Sequence, residues 1–162
     1  MQNKQIIENV HIEPNQTIIK PRFSEIDALS IVHHSRYIPW VEEANFNFVE
    51  NILKISRREL FEMNMYNPIK KVECTYKNHI TWEDKVLIKT HMYYSNFAYF
   101  IMQNKLCCYT NPKKIFAQTK VQILITDKKL KLNLLAPDFF INRIKKAQIK
   151  YPQYFTKIEN GK

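Results

Sequence analysis

The residues best suited to chemistry sit in one short stretch, Arg22-Phe23-Ser24-Glu25-Ile26-Asp27 followed by Ile31-Val32-His33-His34-Ser35-Arg36-Tyr37. Ile18 to Phe23 reads as a short strand, weakened by Pro21, so Asp27 lies just past a strand end. Seven residues further on, at or near His34, a helix begins. Free backbone N–H groups at a helix start attract developing negative charge. A carboxylate facing such donors suits the hydrolysis of an activated acyl group. One group drives attack on the carbonyl, and fixed dipoles stabilise the resulting oxyanion. The plainer reading of Asp27 is a loop residue that caps the helix.

Other chemistry-bearing residues favour structural roles. His33 and His34 could join His79 or His91 around a metal. Adjacent residues in an extended stretch point in opposite directions, however, and no ligand spacing recurs, so no metal site is expected. Cys107 and Cys108 fall in a strand-like run and read as one core and one surface residue. Tyr93, Tyr94, Phe97, Tyr99 and Phe100 lie near basic residues but at strand spacing, which favours sheet and core over base stacking. Lys145 and Lys146 belong to a helix whose apolar face, Phe140, Ile141 and Ile144, is expected to pack on a sheet.

These residues must be positioned by few elements. The spacing predicts a helix from about Ser35 to Leu53, with Tyr37, Val41, Ala44, Phe48 and Ile52 on one stripe. Ile38, Phe46, Val49 and Leu53 widen that stripe, which predicts a helix largely surrounded by protein. Pro39 is tolerable only in the first turn. A second short helix starts at Ser56, where Glu59 completes a capping box. From residue 68 the period changes to two: Val72, Cys74 and Tyr76; Val86, Ile88 and Thr90; the run Phe97 to Tyr109; then Val121, Ile123 and Ile125. Breaks near Trp82-Glu83-Asp84, Ser95-Asn96 and Thr110-Asn111-Pro112 have hairpin-like spacing. Pro137 opens a last helix that runs to about Ile149. The order predicts an α+β domain, an antiparallel sheet of about five strands curled round one long central helix.

Composition narrows the function. The 162 residues suit one domain, and 45% hydrophobic residues suffice for a real core. A single glycine, Gly161, excludes a P-loop and a dinucleotide-binding fingerprint. Positions needing positive φ are then expected to fall to Asn, Asp or Ser. The net charge of +10 is uneven. Residues 1–104 balance, whereas residues 105–162 hold 13 Lys and Arg against Asp127, Asp138 and Glu159. Such a surface attracts polyanions, whether nucleic acid, anionic lipid or a phosphate-rich small molecule. Three cysteines, two of them adjacent, form no disulfide framework and point to a reducing, cytoplasmic compartment. No run approaches a membrane span, and residues 1–20 lack the apolar run of a secretory signal.

The first stretch resembles the hotdog-fold thioesterases of the 4-hydroxybenzoyl-CoA thioesterase and YbgC-like group. Arg22, Phe23, Glu25, Asp27, Val32, His34, Tyr37, Glu42 and Ala44 fall in register with that pattern. Tyr76, Glu83-Asp84, Ala117 and Ala136-Pro137 come after them in the right order. The resemblance spans roughly residues 17–150, leaving 1–16 as a short N-terminal extension and 151–162 as a C-terminal tail. It departs at Ser30, where the family has glycine, at His79-Ile80 in place of Pro-Ala, and at Pro21.

The resemblance implies a hotdog fold and hydrolysis of an acyl thioester, most simply acyl-CoA to free acid plus CoA, with no metal or redox cofactor. It makes Asp27 the catalytic carboxylate, as nucleophile or general base. The His34 N–H would polarise the carbonyl, and its side chain would assist. The acyl tail would lie beside Tyr37, Ile38 and Tyr76. The site would lie at a homodimer interface, with a homotetramer as the larger assembly, and the basic third could meet CoA's phosphates. Two alternatives stay open: an acyl-carrier-protein (ACP) thioesterase, and a non-catalytic hotdog module that binds acyl groups or, through its basic surface, nucleic acid.

Overall fold

The computed structural model describes residues 12–159. Its centre is one antiparallel sheet and one long helix. Strand β1 (Gln16–Ile19) and helix α1 (Tyr37–Phe48) come first, then helix α2 (Arg57–Glu62). Next come strands β2 (Ile69–Tyr76), β3 (Val86–Tyr94), β4 (Tyr99–Cys108) and β5 (Ile115–Leu124). Helix α3 (Asp138–Lys150) and strand β6 (Phe155–Lys157) close the chain. The order across the sheet is β1-β3-β4-β5-β2, with β6 parallel to the far end of β3. This is the expected hotdog architecture.

The central helix forms because its apolar stripe is wide enough to be enclosed. A 3-10 turn at His34–Arg36 leads into α1, and a π turn at Val49–Leu53 extends it. Tyr37, Trp40, Val41, Ala44, Phe48, Ile52 and Leu53 are all buried. Truncating a core phenylalanine such as Phe48 to alanine costs about 3–5 kcal/mol. Pro39 lies in the first turn, where no N–H is needed. Phe46 escapes the stripe and stays exposed under the Arg57 guanidinium, 4.4 Å away.

Register places one polar row across the middle of the sheet. Thr90, Asn104 and Thr119 sit side by side on β3, β4 and β5. Apolar rows flank it, Met92, Met102 and Val121 on one side and Ile88, Leu106 and Ala117 on the other. Asn45 meets this row from α1, accepting from the Asn104 amide at 2.9 Å. Leaving one such buried group unpaired costs about 1–3 kcal/mol, so the row fixes how the helix sits on the sheet.

Several expectations change. β1 ends at Ile19, because Pro21 has no N–H to donate, and Phe23 enters a 3-10 turn, almost fully exposed. The Ser56 hydroxyl caps α2 through the Glu59 N–H at 3.1 Å, but the Glu59 carboxylate pairs instead with Arg143 on α3. Positive φ falls on Ser30 and Asn64, as their residue types allow, but also on Lys54 and Leu130. Residues 151–159 are more than a tail: a 3-10 turn and β6 extend the sheet. α3 buries Phe140 and Ile144, with the Phe140 ring 5.3 Å from Phe100 on β4.

β2 is the chief surprise. Its period of two is clear in sequence, yet Ile69, Val72 and Tyr76 are exposed because β2 is an edge strand. Alternation reveals a strand but not its place in the sheet.

Candidate active site

The loop after β1 folds on its own backbone. Ile26 bridges Val32, and the Asp27 N–H donates to the Ile31 carbonyl at 2.8 Å. The Ser30 N–H closes the turn on the Asp27 carbonyl at 3.0 Å. Ser30 takes φ 60°, so it accepts the left-handed conformation that the family's glycine takes freely. Asp27 Oδ1 accepts from Leu29 N–H at 2.8 Å and from Ile31 N–H at 3.5 Å. Oδ2 has no partner among the described residues.

Glu25 anchors this loop to the helix. Its carboxylate accepts from the Trp40 indole at 3.0 Å and from the Arg22 N–H at 2.8 Å. Its carbonyl accepts from the His33 N–H at 2.9 Å. His33 caps the helix: Nδ1 accepts from the Ser35 N–H, and its carbonyl from the Arg36 N–H. The His34 N–H is the donor of this first turn left without a partner among the described residues. The rings of His33 and His34 lie 4.2 Å apart and tilted rather than pointing apart, because the chain here turns into a helix instead of running extended.

Asp27, His34, Tyr37 and Tyr76 border one cleft of about 440 Å³. The Tyr76 hydroxyl donates to the His34 carbonyl at 3.1 Å, and its ring meets the buried Tyr37 edge-on at 5.0 Å. The Tyr76 phenol is pushed up to about 12, chiefly by burial and then by the Cys74 thiol, although the residue as a whole is 47% exposed. Burial likewise raises Tyr37, with Cys74 adding and a backbone hydrogen bond at Ile80 opposing. Both phenols therefore stay protonated donors at ordinary pH.

Ile38 is not part of this cleft. One residue along a helix turns the side chain by about 100°, away from the face that Tyr37 presents. The cleft instead gains Lys77, Asn78 and His79, which come directly after Tyr76. In the sequence, His79 stands out as a departure from the family and as a metal-ligand candidate that was set aside, and its two neighbours match no motif. The N–H groups of Lys77 and Asn78 share the Phe116 carbonyl, so regular strand pairing ends at Tyr76 and the chain bends to form the cleft wall. Their place directly after Tyr76 is the signal that could have found them.

One antiparallel sheet with a long helix against it is the hotdog fold, and one cleft on it is lined by both Asp27 and His34 at the helix start. The profile of the thioesterase-like superfamily matches residues 21–145, and the chain belongs to that superfamily as a thioester hydrolase. Solved structures share the fold at low identity. A DHNA-CoA thioesterase from Staphylococcus aureus has TM-score 0.73 and 19% identity, covering 89% of this chain and 97% of that one. A 1,4-dihydroxy-2-naphthoyl-CoA thioesterase from Synechocystis has TM-score 0.70 and 11% identity, over 80% and 94%. A gentisyl-coenzyme A thioesterase has TM-score 0.67 and 22% identity, over 76% and 97%. No curated protein sequence matches the chain. No helix among the described residues is long and apolar enough to cross a membrane.

Proposed function

We propose that the chain hydrolyses acyl-CoA thioesters at the cleft between Asp27 and the start of the central helix. The observation that carries this reading is that one cleft is lined both by Asp27, whose Oδ2 has no partner among the described residues, and by His34, whose N–H has none there. The thioester carbonyl oxygen sits against the His34 N–H, which strengthens its hold as the oxyanion forms. Asp27 Oδ2 drives attack on the carbonyl carbon in one of two ways. As general base it takes a proton from the attacking water, the C–S bond breaks, and the leaving thiolate takes that proton. As nucleophile it forms a mixed anhydride as the C–S bond breaks, and water then hydrolyses the anhydride, giving the acid, freeing Asp27 and supplying the thiolate's proton. Tyr76 holds the helix start in place through the His34 carbonyl. Lys77, exposed at the cleft, supplies a cation for CoA's phosphates beside the basic C-terminal third.

The working unit is a homodimer in this reading. β2 is eight residues long, exposed on both faces, and unpaired along one edge. Natural sheets rarely leave such an edge open. Pairing it antiparallel with the same strand of a second copy gives a two-fold interface. Full overlap sets Tyr76 opposite the partner's Ile69, so each cleft is completed by the other chain. The three cysteines are free thiols, which suits a reducing cytoplasm.

A thiol-release assay over short, long and aromatic acyl-CoAs tests the reading. Turnover of at least one of them is expected, with a loss of roughly 100-fold or more in Asp27→Asn. Undiminished turnover in a folded Asp27→Asn protein would sink the assignment of Asp27. The excess of cations in residues 105–162 favours an acidic acyl carrier protein as a second reading of the carrier. Competition between acyl-CoA and acyl-ACP at matched concentration separates the two.

A further inference from the structure

The segment between β5 and α3 carries leucines that the fold leaves outside. Leu130, Leu132, Leu134 and Leu135 are 64%, 55%, 78% and 58% exposed. Single surface leucines are ordinary, but a contiguous group marks an interaction surface. The backbone holds them in place. The Leu134 carbonyl accepts from the Ala98 N–H at 3.2 Å, and the Ala136 N–H donates to the Asn96 carbonyl at 2.9 Å. Leu130 takes φ 59°, a conformation that crowds its Cβ, so the turn bears strain to set a large apolar side chain outside. Lys128, Lys129 and Lys131 are interleaved with the leucines, all exposed, and none pairs with a carboxylate among the described residues. The one acid of residues 126–137, Asp127, turns its Oδ1 onto the N–H groups of Lys129 and Lys131. Leu132 and Leu134 also line a groove of about 690 Å³ with Tyr99, Ile101, Leu124 and the exposed Lys70. Ile101 alternates with the inward Met102, so this groove lies on the sheet face turned away from α1.

We propose that this segment docks the protein on an anionic membrane surface. The leucines enter the boundary between headgroups and acyl chains, and the lysines meet the headgroup phosphates. Lysine stems can lie along the apolar layer while their charges stay among the headgroups. Docking of this kind stands independently of the thioester-hydrolase reading. Charge decides between the possible occupants. A second copy in a two-fold contact sets the same lysines against one another, with no carboxylate of the segment free to pair with them. A nucleic acid neutralises the lysines but leaves the leucines without a partner. An anionic bilayer satisfies both.

Co-sedimentation with vesicles tests this, using phosphatidylcholine alone and phosphatidylcholine with about 30% phosphatidylglycerol. The native protein is expected to bind the anionic vesicles roughly tenfold tighter than the neutral ones, or more. Leu130→Ser with Leu134→Ser keeps the charge and should weaken binding roughly tenfold. Changing Lys128, Lys129 and Lys131 together to Gln should weaken it as much. Changing Lys145, Lys146 and Lys150 to Gln removes the same charge from α3 and should alter it less than about threefold. Leu130→Gly suits the turn, so it keeps the fold, and it should also bind more weakly. No uptake by anionic vesicles overturns the proposal. So does uptake that survives the leucine changes, or that the α3 changes lower as far as the loop changes do. Binding of a single-stranded uridine oligomer without vesicle uptake overturns it in favour of a nucleic acid. A smaller assembly of the leucine variant in lipid-free sedimentation velocity overturns it in favour of a second copy.

Discussion

The loops Asp27–Ile31 and Asp127–Lys131 are built alike. In each, the aspartate N–H donates to the carbonyl four residues on, and the residue three on donates back to the aspartate carbonyl. The aspartate Oδ1 accepts from the N–H groups two and four residues ahead in both. The residue three on is left-handed in both, Ser30 at φ 60° and Leu130 at φ 59°. Each loop closes an isolated bridge, Ile26 to Val32 and Thr126 to Leu132. The two chains of residues leaving these loops part company. Val32 is buried, donates to the Ile80 carbonyl at 2.7 Å, and leads straight into the central helix. Leu132 is exposed and leads along the surface. The hydrogen-bonded turn is therefore a structural device used twice. What sets Asp27 apart is that it shares one cleft with His34, at the helix start, and with Tyr76.

Alanine at each aspartate should break the comparison most sharply. Asp27→Ala should lose roughly 100-fold or more in thiol release, while Asp127→Ala keeps native turnover. Both should lose about 1 kcal/mol in urea melts, because each removes the same turn cap. Tyr76 has no counterpart in the second loop. Tyr76→Phe keeps the ring contact with Tyr37 but frees the His34 carbonyl, and should lower kcat roughly fivefold with the melt unchanged. A raised phenol pKa keeps the donating form to higher pH, so the native pH–rate profile should show no limb from this hydroxyl below about pH 11. The smallest effect concerns the left-handed residues. Leu130→Gly should stabilise by about 1 kcal/mol and Ser30→Gly by about half as much, since a leucine side chain resists that conformation more.

The long helix was legible because Tyr37, Val41, Ala44, Phe48 and Ile52 repeat at its period over four turns. β3 to β5 were legible for the same kind of reason. β6 was not, since three residues carry no period. The exposed edge of β2 was hidden because alternation is blind to neighbours. The motif around Asp27 and His34 marked one side of the cleft, and Tyr76 part of the other. Lys77, Asn78 and His79 were missed because only the fold brings them to the cleft, more than 40 residues after the Asp27 and His34 motif. The twin loop at Asp127 was also unread. Its turn residues, Lys128 to Leu130, give no hint of a left-handed position, which only the hydrogen bonds impose.

Two equal turns differ in surroundings because only one shares a cleft with a helix start. The most direct measurement of that difference is thiol release by Asp27→Asn beside Asp127→Asn, on the best acyl-CoA of the panel. Asparagine keeps the accepting Oδ1 in both loops, so both proteins should melt as the native one does. The account predicts turnover down roughly 100-fold or more in the first and native in the second. Equal turnover in the two variants would contradict it, and would return Asp27 to the purely structural role that its twin holds.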